Sequence, residues 1–180
     1  MKINSQDYEV KGVRYTIRPA ASSDAAQLSE LRFKLDGETE FFDREPGEAF
    51  MDADDFAHRI EQDTASPVHL MLSAVADGRL VGYARCAGSE LKRVSHQVEF
   101  GVGVLQAWNG YGIGYQLLQQ CIAWARQQQL RKIKLQVLET NLKAIELYTQ
   151  AGFEVEGILQ QDKRLSDEQW YSTLLMAKFL

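Results

Sequence analysis

Residues 102–118 change from an alternating, strand-like pattern to a helical pattern across a glycine-rich turn. Glycines stand at positions 110, 112 and 114 of this stretch. Because glycine has no Cβ atom, its backbone amide can approach a bound anion closely, and a helix that starts here aims unpaired N–H groups and the positive end of its dipole at the same point. The stretch therefore predicts a strand, a turn and a helix N-terminus that together form a phosphate cradle.

The length and composition of the chain fit one folded domain. Its 180 residues are 45% hydrophobic and 25% charged, which is ordinary for a globular protein that buries one core. We therefore expect a single domain over residues 1–180, with residues 1–12 as a loose polar leader. No apolar run approaches the roughly 20 residues that a membrane span needs, and the N-terminus lacks the apolar core of a signal peptide. These features favour a cytoplasmic protein without membrane contact.

The charge and the cysteines exclude several other classes of partner. The formal charge is −5 at pH 7. A nucleic-acid surface needs clustered basic residues, so we expect no nucleic-acid partner, and a cationic small molecule or peptide suits the chain better. Cys86 and Cys121 sit in apolar contexts and are expected to be buried free thiols. Neither they nor His58 and His69 have the spacing of metal ligands, so we expect no metal.

Hydrophobic periodicity predicts a mixture of helices and strands. An Asp-Gly turn between two apolar runs favours a hairpin, and the run that follows it predicts an antiparallel meander of three strands. The pattern indicates an α+β domain with a mixed sheet. Strands are predicted at 14–18, 68–75, 80–87, 95–104, 132–138 and 170–180, and helices at 25–35, 54–60, 113–128 and from position 141 to the glycine at 152.

Residues 36–55 form an acidic segment interrupted by aromatic side chains, with Arg44 as its only cation. One interpretation is a surface loop that the aromatic residues anchor and whose acids cap the next helix. The other is a lid that lines a pocket for a positively charged amine, because aromatic and acidic groups together suit an ammonium head on an alkyl stem. The candidate substrate-binding residues are Glu38, Glu40 and Phe41.

Two common nucleotide-binding motifs that contain a glycine turn, the P-loop and the dinucleotide-binding fingerprint, do not match this sequence. A P-loop requires Lys followed by Ser or Thr, whereas Gly114 is followed by Tyr115 and Gln116. The dinucleotide fingerprint follows the first strand of a parallel βαβ unit, whereas this turn follows an antiparallel meander.

Two sequence blocks instead make the chain resemble the GCN5-related N-acetyltransferase superfamily over most of its length. The first block is Asn-Gly-Tyr-Gly-Ile-Gly at 109–114, which is similar to the family's Gln/Arg-x-x-Gly-x-Gly/Ala turn. The second is Asn-Leu-Lys-Ala-Ile-Glu-Leu-Tyr-Thr-Gln-Ala-Gly-Phe at 141–153. The resemblance implies a mostly antiparallel central sheet flanked by helices in an α/β sandwich. Residues 38–41 and 162–176 also look similar to the ribosomal-protein-type subgroup of acetyltransferases.

The resemblance implies that acetyl-coenzyme A is the co-substrate and that residues of both blocks bind it. Val102 and Val104 would pair with the pantetheine arm, the glycine turn would hold the diphosphate, and Asn141 would approach the coenzyme or only cap its helix. The sequence departs from the family at Asn109, where Gln or Arg is usual, and at Gln106, where many members have Pro. The implied turn residues are Asn109, Gly110, Tyr111, Gly112, Ile113 and Gly114.

The resemblance also implies a direct transfer of the acetyl group to a primary amine. Tyr148 would be the general acid that protonates the leaving thiolate, unless it only packs on its helix. Glu99 would take the proton of the amine, directly or through water, unless it only faces solvent; His96 is the competing base. The alternative function is an acyl-coenzyme A sensor or partner-binding domain without turnover. The acceptor would be a small-molecule or peptide amine bound by the acidic segment and the loops around 88–93 and 162–168, and the last strand is a candidate homodimer edge.

Overall fold

The computed structural model describes residues 3–180, which form one eight-stranded sheet flanked by four helices. The strands are β1 (Gln6–Val10), β2 (Val13–Pro19), β3 (His69–Ala76), β4 (Arg79–Gly88), β5 (Gln97–Val104), β6 (Lys132–Leu138), β7 (Glu154–Arg164) and β8 (Trp170–Phe179). The helices are α1 (Ala25–Glu38), α2 (Ala53–Ala65), α3 (Ile113–Gln127) and α4 (Leu142–Gln150).

The sheet has the order β1-β2-β3-β4-β5-β6-β8-β7. Every neighbouring pair is antiparallel except β5 and β6, which run parallel. The mixed, mostly antiparallel sheet flanked by helices confirms the predicted fold class. The predicted meander is the β3-β4-β5 part of this sheet.

Helices cover both faces of the sheet because alternate strand residues point to opposite sides. On one face, Leu28 of α1 and Phe56 of α2 pack with Met71 of β3. On the other, Leu117 of α3 packs with Val98 of β5 in the larger core. The result is the predicted sandwich, with one helical layer on each side of the sheet.

The predicted loose leader over residues 1–12 is wrong for most of its length. Gln6–Val10 is strand β1, which pairs with β2 across a turn at residues 11 and 12. The rings of Tyr8 and Tyr15 stack at 5.3 Å, and Gln120 of α3 donates to the Tyr8 hydroxyl at 2.8 Å. Residues 1 and 2 lie outside the described part of the chain.

The C-terminal part of the sheet also differs from the prediction. Strand β7 was not predicted, and it lies at the edge of the sheet, so β8 is paired on both sides. The predicted dimer edge on the last strand is therefore wrong, because the exposed edge at this end of the sheet is β7. Helix α1 continues through Gly37 to Glu38, and α2 covers Ala53–Ala65 rather than 54–60.

The two cysteines are free and buried, as expected. Cys86 lies on β4 and Cys121 on α3, so the two thiols meet where the helix packs on the sheet. Burial raises the pKa of the Cys121 thiol well above its ordinary value, which keeps it protonated and unreactive. Within residues 3–180, no helix combines the length and the apolar character that a membrane span requires.

Candidate active site

The parallel strands β5 and β6 separate before either of them ends. They pair only between Gln97–Glu99 and Lys132–Lys134, although β5 continues to Val104 and β6 to Leu138. From residue 100 onward, β5 is paired with β4 on one side and has an open edge on the other. A gap therefore opens in the middle of the sheet, between the C-terminal halves of two parallel strands.

The register of β5 shows which of its backbone groups face this gap. The N–H of Leu105 donates to the carbonyl of Val81 at 2.9 Å, and the antiparallel register continues unbroken along β4 and β5. Since alternate residues of an antiparallel pair form the bonds, Gly101 and Gly103 bond to β4. The N–H and C=O groups of Val102 and Val104 then point into the gap, where an extended molecule can pair with them.

The glycine turn follows the open edge and leads into α3. Gly110 has φ 84° and Gly112 has φ 75°, a left-handed backbone that favours glycine. Gly112 directly precedes α3, and the first helical bond runs from the N–H of Gln116 to its carbonyl at 2.9 Å. The N–H groups of residues 113–115 therefore have no partner within the helix. Together with the dipole of the helix, they suit an anion, so the phosphate cradle stays a prediction that this geometry supports.

The residues of this turn differ in what they contribute. The Ile113 side chain is buried in the core and fixes the start of α3. The Tyr111 carbonyl accepts a hydrogen bond of 3.1 Å from the Tyr15 hydroxyl, which ties the turn to β2. Gly114 lies beside the open edge, since a Cβ on it would be 3.9 Å from Val104 Cγ2. The Asn109 N–H donates to the Gln106 carbonyl at 3.1 Å, and its side chain is exposed.

The structure explains why Gln106 stands where proline is usual. Its N–H, which proline lacks, donates to Glu38 Oε2 at 2.8 Å. Its side-chain amide donates to the Glu38 carbonyl at 2.5 Å. Glu38 therefore joins the end of α1 to the end of β5.

Tyr148 lies on α4, next to the strand that borders the gap. The residue is 7% exposed, and its ring packs edge-on against Phe100 at 6.3 Å and at a tilt against Phe153 at 5.9 Å. Burial raises the pKa of Tyr148 to about 12, and its hydroxyl makes no hydrogen bond with the described residues. At neutral pH this phenol is protonated and has a proton to donate. Asn141 caps the same helix by accepting from the Ala144 N–H at 3.4 Å.

Glu99 lies on the opposite face of β5 from Phe100 and Tyr148. Its carboxylate is 3.8 Å from Lys134 Nζ and accepts a long hydrogen bond of 3.5 Å from Gln136 Nε2. The His96 carbonyl accepts from the N–H groups of residues 131 and 132. Its ring forms no hydrogen bond or ion pair with residues 3–180, and Glu99 remains the predicted base with His96 as its competitor.

A groove of about 890 Å³ lies beside Glu99 on the α1 side of the sheet. Residues 36–48 form one wall, residues 162–166 form the other, and Gln136 lies in the lining. Three cationic side chains and seven carboxylates line the groove. The carboxylates are those of Asp36, Glu38, Glu40, Asp43, Glu45, Glu48 and Asp162. The charge of the groove is therefore strongly negative. Residues 88–93, which the sequence analysis also assigned to the acceptor side, are not among those that line it.

Hydrogen bonds and ion pairs hold the acidic wall in place. Asp36 forms a two-pronged ion pair with Arg44, with the closer contact at 2.9 Å. Glu40 Oε1 accepts from the Ser166 N–H at 2.9 Å, which joins the two walls. Asp43 forms an ion pair with Lys163.

Phe41 does not line this groove, contrary to the prediction. Its side chain is 42% exposed, whereas Phe42 lines the groove. A Cβ on Gly103 would meet Phe42 at 3.3 Å and Leu35 at 2.7 Å, so glycine lets the α1 side approach β5 closely. The sequence contains two adjacent phenylalanines, and only the three-dimensional structure distinguishes their directions.

Within residues 3–180, no group of three or more His, Cys, Asp and Glu side chains is arranged to hold a metal ion. Asp63 lies close to His69, but the two do not form such a group. It binds Arg85 at 2.6 and 2.8 Å and lies 3.1 Å from His69, so its charge is balanced by neighbouring side chains.

Residues 35–153 match the acetyltransferase (GNAT) family, and the chain belongs to that family. This region includes the gap, the glycine turn and both sequence blocks.

Among curated proteins, the chain is similar to the L-amino acid N-acetyltransferase AaaT of Escherichia coli (strain K12). The two are 33% identical over 90 residues, which cover 48% of this chain and 54% of that protein. The match therefore spans about half the length of this relative.

Solved structures share the fold over nearly the whole chain. A GNAT-family acetyltransferase from Streptococcus pneumoniae has a TM-score of 0.88 and 24% identity, over 92% of this chain and 99% of its own. The ribosomal-protein-alanine N-acetyltransferase of Brucella melitensis has a TM-score of 0.80 and 26% identity, over 91% and 99% of the two chains. The yncA protein of Salmonella typhimurium, solved with its cofactor acetyl-CoA, has a TM-score of 0.80 and 24% identity, over 92% and 94%.

Proposed function

We propose that this protein is an acetyl-CoA-dependent N-acetyltransferase that transfers the acetyl group to a primary amine by direct attack on the thioester. The observation that carries the proposal is the gap between β5 and β6, which opens beside a glycine turn and the N-terminus of α3. Coenzyme A combines an extended arm, which suits the gap, with a phosphate group, which suits the turn. Membership of the GNAT family and the yncA structure with acetyl-CoA support this choice.

The coenzyme side of the site is proposed from the backbone geometry. The gap-facing groups of Val102 and Val104 suit the amides of the pantetheine arm. The turn at residues 109–114 suits the diphosphate, and its open backbone requires glycine at 110 and 112. Asn141, whose carboxamide caps α4, positions that helix beside the arm.

The proposed chemistry uses groups on both faces of β5. The amine nitrogen attacks the thioester carbonyl carbon, a C–N bond forms and the C–S bond breaks. Glu99 takes the amine proton, directly or through water, and Tyr148 gives its proton to the departing sulfur. A gap-facing N–H of β5 stabilises the developing oxyanion. The products are an N-acetyl amine and the coenzyme thiol, and exchange with solvent returns Glu99 and Tyr148 to their starting forms.

The acidic groove supports a cationic amine as the acceptor. Its carboxylates attract an ammonium group, and Gln136 connects its lining to Glu99. The Brucella melitensis enzyme is named for an alanine of a ribosomal protein and AaaT for an L-amino acid, and these names support a small-molecule or peptide amine as the acceptor. Glu38 and Glu40 act in this proposal by holding the wall of the groove as well as by their charge. The same charge distribution favours a protein without a nucleic-acid partner.

An amine panel tests the function directly. Thiol release from acetyl-CoA would be followed with polyamines, amino acids and short peptides that have basic or acidic N-terminal sequences. We expect turnover with at least one cationic amine and weaker turnover with acidic peptides. Binding of acetyl-CoA without turnover on any amine would favour the sensor function instead.

Two further properties are proposed with the function. The exposed edge of β7 suits a homodimer, since Val155, Ile158 and Leu159 are 51%, 56% and 39% exposed on an unpaired strand. We also propose a cytoplasmic location, in which the buried Cys86 and Cys121 would remain free thiols.

A further inference from the structure

We infer that Lys11, at the tip of the β1-β2 hairpin, binds the diphosphate of the coenzyme and supplies the positive charge that Asn109 lacks. The inference rests on the proposed function, because it assumes that the glycine turn holds coenzyme A. It assigns a phosphate contact to the N-terminal hairpin, more than 90 positions before the turn in the sequence.

The shape of the hairpin fixes the position of Lys11. Val10 pairs with Val13, so the turn has two residues, Lys11 with φ 52° and Gly12 with φ 77°. Positive φ at both central positions is the type I′ geometry that matches the twist of paired strands. Lys11 is therefore held in one backbone conformation at the tip of the hairpin.

The hairpin is tied to the glycine turn through β2. Tyr15 donates its hydroxyl hydrogen to the Tyr111 carbonyl at 3.1 Å, and its ring stacks on Tyr8. Gln120 of α3 donates to the Tyr8 hydroxyl and to Gln6. These contacts connect the hairpin to both the turn and the helix that follows it.

The ammonium group of Lys11 lies directly above the turn. Its Nζ atom is 3.9 Å from the position that a Cβ on Gly110 would occupy, and 6.0 Å from the centroid of the Tyr111 ring. Lys11 forms no ion pair with any carboxylate of residues 3–180. Its charge is thus available to an anion bound on the turn.

The chemistry of the site favours the diphosphate over the other anionic group of coenzyme A, its 3′-phosphate. Gly110 lies three residues before the first residue of α3, whose free N–H groups suit the anion, so an anion held there also lies close to Lys11. A cation with three donors complements the backbone N–H groups at such a site.

The test compares the binding of coenzyme A and 3′-dephospho-coenzyme A to wild type, Lys11→Met, Lys11→Arg and Lys34→Met by calorimetry. Methionine keeps the alkyl stem of Lys11 but removes its charge, and Lys34 is an exposed lysine on α1 that serves as the control. We expect Lys11→Met to raise the Kd about fivefold for both ligands, because an exposed charge pair contributes up to about that factor. Lys11→Arg should restore most of the affinity, and Lys34→Met should bind like wild type.

Salt dependence gives a second readout that a purely structural role would not change. Loss of a phosphate-binding charge should make the Kd of Lys11→Met less sensitive to salt between about 0.05 and 0.5 M, while its melting temperature without ligand stays near that of wild type.

Three results would overturn the assignment. Equal Kd values for wild type and Lys11→Met would remove Lys11 from the site. An effect with coenzyme A but not with its 3′-dephospho form would move Lys11 to the 3′-phosphate. If wild type bound neither ligand, the proposed function would itself be wrong, and the inference would fall with it.

Discussion

Tyr148 combines a buried ring with a hydroxyl that no described residue engages. Burial disfavours the phenolate and raises its pKa to about 12, so the group remains a proton donor across the physiological range. A thiol has an ordinary pKa of about 8.5, so the free thiolate is too weak a base to take this proton outright. In the proposed mechanism, the proton transfer therefore accompanies the breaking of the C–S bond, when charge on the sulfur is developing.

The substitution Tyr148→Phe tests this role. It removes the hydroxyl and keeps the ring that packs on Phe100 and Phe153, so the melting temperature should change little. We expect kcat to fall by about 10²- to 10⁴-fold, as for loss of a general acid, while the Kd for acetyl-CoA stays within about threefold of wild type. Tyr8→Phe, which removes a hydroxyl from the edge strand β1, is the control for kcat. Unchanged kcat would leave Tyr148 with only a packing role.

The raised pKa of Tyr148 also predicts how stability depends on pH. Between pH 10, where the unfolded chain ionises, and about pH 12, where the folded protein does, the unfolded state binds fewer protons, so stability falls as pH rises. At pH 11 this loss should be about 1 kcal/mol. Urea unfolding of wild type and Tyr148→Phe at pH 9 and pH 11 measures it. The variant should lose less stability over this interval, and equal losses would contradict the assignment.

At the scale of elements, a second glycine elsewhere in the chain has the same backbone conformation as a glycine of the turn. Gly112 before α3 has φ 75°, and Gly78 between β3 and β4 has φ 73° with no atom near its missing Cβ. Alanine at either position should be strained by about 1–2 kcal/mol. Only Gly112 belongs to the proposed coenzyme site.

Gly112→Ala and Gly78→Ala therefore separate strain from binding. Both variants should lower the melting temperature by a similar amount. Only Gly112→Ala should also raise the Kd for acetyl-CoA, by about tenfold or more, because the backbone must shift where the diphosphate binds. Calorimetric titration of both variants measures the difference, and equal Kd values would place the diphosphate elsewhere.

The elements that the sequence predicts well are those with one strongly buried face. Strands β3 to β6 and helix α3 carry apolar side chains at the period of their structure, and their predicted bounds agree with the observed ones within about two residues. Strands β1 and β7 were missed because they lie at the sheet edges, where few side chains are buried and the period-two signal is weak.

The candidate site also contains parts that the sequence predicts and parts that it does not. Residues 109–114 and 141–153 are contiguous blocks whose spacing is visible in the sequence. The separation of β5 from β6, the direction of Phe42 and the position of Lys11 depend on contacts between distant parts of the chain, which a single sequence does not show.

At the scale of the whole molecule, the exposed edge of β7 is the proposed contact between two chains. Its edge is apolar near the centre, and Glu154 and Arg164 stand at opposite ends. Two copies of this strand in antiparallel register would therefore bring opposite charges together.

Light scattering of wild type and Ile158→Lys tests this association. We expect a dimer for wild type and a shift towards monomer for the variant, because a lysine on a strand edge blocks pairing. Phe50→Lys, at an exposed residue outside the sheet, should leave the wild-type state unchanged. A wild type that stays monomeric at all concentrations would refute the dimer.

Because β5 has an open edge, hydrogen exchange of its own backbone amides should report whether a ligand occupies the gap. In the free protein, the amide hydrogens of Val102 and Val104 face a gap and should exchange rapidly with deuterium, while those of Gly101 and Gly103 are held by β4. A ligand that pairs with the edge would slow the first pair and leave the second almost unchanged. Deuterium uptake would then alternate residue by residue before binding and become uniform after it, with no displacement of the strand.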